Sequence, residues 1–80
     1  MNIRETVDAI KLHPSFRKAN EFELYNLLTT IPSPVAKRRM QDLAHHLSQE
    51  AVMQTPLSMA YLREMLHPKK KRNEVRGGGK

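Results

Sequence analysis

Five prolines, at positions 14, 32, 34, 56 and 68, constrain this chain more than any other feature. Proline has no backbone N–H, and its ring collides with the preceding turn, so a helix does not run through it. It also pushes the residue before it toward extended backbone. The stretches between the prolines must therefore be separate elements, and each carries apolar residues at helical spacing.

In the first stretch Ile3, Val7 and Ile10 recur at helical intervals, and the helix must stop near His13 because Pro14 follows. The second opens at Asn20 as N-cap, with Glu23 three residues later in position to close a capping box. Its inner stripe is Leu24, Leu27, Leu28 and Ile31, flanked by Phe22 and Tyr25, and Pro32 ends it. In the third, Ser33 is the predicted cap and Pro34 the first helical residue, where a missing N–H costs nothing. Ala36, Met40, Leu43, Leu47 and Ala51 then share one stripe, so this helix is predicted to run to about Gln54. The fourth repeats the device, with Thr55 as cap and Pro56 as first residue, and ends at Leu66 before His67-Pro68. No strand pattern competes. The expected fold is all-α, a small bundle of about four helices over residues 1–66, followed by a disordered, flexible basic tail over 67–80.

The tail is set apart by charge. Through Leu66 there are eight Lys and Arg against seven Asp and Glu; from His67 to Lys80 there are six against one. The net charge of +6 is thus an attribute of an appendage, not of the body. Lys69, Lys70, Lys71, Arg72 and Arg76 form a polyelectrolyte segment of the kind that phosphate backbones attract through counterion release. With Val75 its only apolar side chain, the segment has nothing to bury.

Eighty residues make at most one small domain, whose stability margin is thin. There is no cysteine, which removes disulfides, thiolate metal sites and thiol chemistry, and fits a reducing cytoplasm. Homo-oligomerisation, with a dimer as the simplest form, is the expected compensation. No apolar run approaches the roughly 18 residues of a membrane span, and residues 1–8 mix charged and apolar side chains unlike a secretory leader. A cytoplasmic protein with no membrane partner is expected.

No nucleophile–base pair, glycine-rich phosphate loop or paired acids appear, and so short a chain does not easily enclose a dry pocket. No enzyme and no cofactor are expected. Asp42 and His46 stand four apart, but two ligands do not complete a metal site.

Two binding functions remain. In the first, the chain is a small regulatory nucleic-acid-binding protein, of the kind that acts in transcription. Leu43-Ala44-His45-His46-Leu47 resembles the first helix of helix-turn-helix motifs, which would make the fourth helix the reading helix, although no glycine turn separates the two. Lys37, Arg38 and Arg63, with the basic tail residues, are the candidate contacts, and DNA is expected over RNA. Lys37 and Arg38 fall near a helix start, where a cation is unfavourable unless an anion offsets it, while Arg39 reads as solvated surface. In the second, the chain is a protein-directed regulator such as an inhibitor, antirepressor or adaptor. The fourth helix is apolar around most of its circumference, so Met59, Leu62, Met65 and Leu66 are candidates for a surface that meets a partner or a second copy.

Overall fold

The computed structural model describes residues 2–68. It is all-α, with α1 at Ile3–Leu12, a single 3-10 turn at Pro14–Phe16, α2 at Glu21–Thr29, α3 at Ser33–Leu47, α4 at Glu50–Met53 and α5 at Met59–Leu66. No strand occurs among the described residues. Residues 69–80, which include most of the expected tail, lie outside them.

Helix α1 holds the bundle together, packing on both α2 and α3, while α5 closes the core against α3 and α2. The stripes read from the sequence are the ones that meet. Val7 and Ile10 of α1, Leu24 and Leu28 of α2, and Leu43 and Leu47 of α3 are all buried. Leu62 and Leu66 of α5 are fully buried among them. Each large apolar side chain so buried contributes about 1.5–3 kcal/mol against the entropy of ordering the chain. Phe16, the last residue of the 3-10 turn, is buried in the same core.

The helix starts differ from expectation in informative ways. Asn20 does cap α2, its side-chain oxygen accepting the N–H groups of Phe22 (2.8 Å) and Glu23 (3.2 Å). A reciprocal capping box forms at α1, where Asn2 accepts from Glu5 N–H (2.8 Å) and Glu5 accepts from Asn2 N–H (3.1 Å). Ser33 is not a cap. The chain turns one residue earlier, at Pro32, whose carbonyl accepts Val35 N–H at 3.0 Å, and α3 begins without a side-chain cap.

Helix α3 also stops at Leu47 instead of reaching Gln54. The Ser48 hydroxyl donates back to the His45 carbonyl at 2.7 Å, the local bonding by which serine competes with a helix. Gln49 is extended, and the chain re-enters a helix for the single turn of α4. Ala51, placed on the inner stripe by a continuous helix, is consequently exposed. The last helix starts three residues later than predicted. The Thr55 hydroxyl donates to Ala51 O (2.7 Å), closing α4, and Ser58 caps α5 by accepting Tyr61 N–H (3.3 Å).

Three histidines supply polar contacts between elements. His13, 1% exposed, accepts Ser15 N–H at Nδ1 (3.0 Å) and therefore carries its proton on Nε2, which donates to Val52 O. His67 Nε2 donates to Leu27 O (2.9 Å), beside the Thr30 hydroxyl, and ties the end of α5 to the end of α2. His46 pairs with the Tyr61 hydroxyl, joining α3 to α5. Among the described residues, no helix is long and apolar enough to cross a membrane.

Candidate nucleic-acid interface

A cation already neutralised by its own protein has little left to give a ligand, so the candidate surface is found by asking which cations are engaged. Arg4 donates to the Tyr25 hydroxyl (3.3 Å) and lies 3.6 Å from Asp8. The Tyr25 hydroxyl first, then Asp8 and Glu21, push its already high pKa further up. Lys11 pairs with Glu21 at 3.2 Å. Arg39 is half-buried and donates to Leu66 O at 3.1 Å, covering a free carbonyl at the end of α5. It is a structural residue, not solvated surface.

Lys37 and Arg38 project from the outer face of α3. Arg38 reaches Asp42 only loosely, at 3.9 Å with both side chains largely in water, a contact worth at most about 0.5 kcal/mol. Lys37 has no ion-pair or hydrogen-bond partner among the described residues. Since α3 begins at Ser33, both sit past its first turn, where the helix dipole has largely fallen off. The expected dipole conflict is therefore weak, and the functional value of these cations rests on exposure. One turn and two turns further on, Gln41 and His45 continue the same exposed stripe.

Arg63 is exposed on α5, in a shallow concavity it shares with Ala60, Glu64 and His67. The neighbouring carboxylate of Glu64 weakens it as a phosphate contact. No shared hydrogen-bond or ion-pair partner among the described residues links it to Lys37 and Arg38. Lys69, Lys70, Lys71, Arg72 and Arg76 lie outside the described residues.

The expected partner surface on α5 needs correction. Leu62 and Leu66 are core residues with no exposed area, and Met59 and Met65 are half-buried against them. The helix looks apolar all round because α2 and α3 cover it from two sides. The large apolar side chains that do face outward are Leu12 and Phe22, at 74% and 86% exposure.

The helix-turn-helix reading changes as well. Between α3 and α5 lie residues 48–58, including α4, far more than the three or four residues of such a turn. A connection of the right length occurs earlier, at residues 30–32 between α2 and α3. That makes α3, not α5, the helix that follows a tight turn, and places Lys37, Arg38, Gln41 and His45 on its open side. Sequence reasoning missed this because the long predicted third helix was cast as the support. No protein-family model matches the chain, and no curated protein or solved structure matches it either.

Proposed function

We propose that this protein is a small DNA-binding regulator of transcription, acting as a homodimer, that lays the outer face of α3 along a duplex and draws on cationic residues near its C-terminus for phosphate attraction. The observation that carries the reading is the exposed stripe of Lys37, Arg38, Gln41 and His45, bordered by Asp42, on a fifteen-residue helix. Such a helix is about 22 Å long, enough to lie in a major groove. Arg, Lys and Gln are the side chains whose donors match base edges there. DNA is preferred because the deep, narrow major groove of an RNA duplex does not admit a helix. The six cations among the last fourteen residues supply attraction that is independent of sequence.

Electrophoretic retardation of a generic duplex tests this. The double variant Lys37→Ala/Arg38→Ala is expected to bind at least tenfold more weakly, and a chain ending at Pro68 to lose most low-salt affinity. Unchanged binding in both variants contradicts the proposal.

The exposure of Leu12 and Phe22 favours the second reading, a protein-directed regulator. In that case Leu12→Lys and Phe22→Ser remove function from a normally folded protein, while salt has little effect.

A further inference from the structure

Arg17 and Lys18 are adjacent, exposed and without an ion-pair partner among the described residues. They sit on the wall of a cleft of about 450 Å³, formed where the link into α5 passes the 3-10 turn. Leu57 N–H donates to the Ser15 hydroxyl oxygen at 2.9 Å, which pins the two strands of chain together on one side and leaves the space open beside it. No carboxylate lines this cleft.

Its hydroxyls point to the same kind of ligand. Ser15 Oγ accepts Leu57 N–H and Ser58 Oγ accepts Tyr61 N–H, so each has spent acceptor capacity and retains a proton to donate. Two cationic and two hydroxyl residues line a space that offers a ligand no acidic side chain. The rest of the lining, including Pro14, Leu57 and Met59, is apolar. That combination suits a charged oxyanion carried on a less polar body, as a phosphodiester is carried on its sugar.

We infer that the cleft between the 3-10 turn and the start of α5 receives a backbone phosphate of the bound DNA, held by Arg17 and Lys18 with Ser15 and Ser58 as donors. This rests on the DNA-binding reading and adds to it a second contact, formed by segments about forty residues apart in sequence.

The test is the salt dependence of binding to a generic duplex, measured for the full chain and for Arg17→Ala/Lys18→Ala. Both side chains are exposed, so the variant should keep the wild-type melting temperature. The control is Arg4→Ala/Lys11→Ala, which removes the same charge from cations already paired. The cleft variant is expected to bind about tenfold more weakly, with a salt slope shallower by about two. The control is expected to change affinity less than threefold. Wild-type affinity in the cleft variant, or an equal loss in the control, overturns the inference while the DNA-binding reading stands. Absence of binding by the wild-type chain overturns both.

Discussion

The Nε2 of His13 donates a hydrogen bond to the carbonyl of Val52, 2.7 Å away and 39 residues further along the chain. With Ser15 N–H filling the other ring nitrogen, one buried imidazole joins the end of α1, the 3-10 turn and α4. The contact is compatible only with a chain that breaks after Leu47. A straight continuation of α3 would not bend at Ser48 and Gln49 to bring Val52 back over His13.

Replacing His13 by Leu, closer to it in volume than Phe but without hydrogen-bonding atoms, is therefore expected to destabilise the domain. Two backbone groups, Ser15 N–H and Val52 C=O, lose the side chain that satisfies them in part-buried hydrogen bonds. The cost is about 2–3 kcal/mol, a fall of at least 8 °C in a domain of this size. Urea and thermal unfolding followed by circular dichroism measure it. A variant within 0.5 kcal/mol of wild type, on the order of ordinary surface substitutions, would show the bond to be dispensable.

Leu62→Asp is expected to unfold the protein. A carboxylate at a position with no exposed area costs more than about 4 kcal/mol, comparable with the whole stability of a small domain. Met59→Asp, half-buried at the start of α5, should leave a folded protein with a reduced melting temperature. Far-ultraviolet circular dichroism separates the two. A folded, soluble Leu62→Asp protein would return α5 to the role of an interaction surface.

Asn20→Ala removes the acceptor of two N–H groups at the start of α2. A loss of about 1 kcal/mol is expected, because no other side chain caps that turn. Ser33→Ala, by contrast, should cost almost nothing, since Ser33 lies inside α3 and makes no capping bond. Equal losses at the two sites would mean that α3 starts where the sequence pattern placed it.

The bundle was legible because its signal is local and periodic. Leu24, Leu27 and Leu28, or Met40, Leu43 and Leu47, announce a helix face whatever they pack against. The helix ends were less so. Ser33 and Thr55 each precede a proline, a pattern that suits a cap, yet the helices start from Pro32, without a side-chain cap, and from Ser58, whose hydroxyl accepts Tyr61 N–H. The apolar breadth of α5 suggests a partner surface in the sequence, but spacing does not say whether a partner or the same chain covers it, and here α2 and α3 do. His13 and the Arg17–Lys18 cleft leave no local trace at all. Each depends on residues about forty positions away, Val52 in one case and Leu57 with Ser58 in the other.

The central claim is that the exposed cations of this small bundle meet nucleic-acid phosphate. The most direct test is the equilibrium affinity of the full chain for a generic DNA duplex, measured by fluorescence anisotropy between 50 and 300 mM salt. The account predicts a linear fall of log K against log salt, with a slope of about −4 or steeper, corresponding to four or more neutralised phosphates. Binding that is absent at the lowest salt, or that does not change across the series, would contradict it.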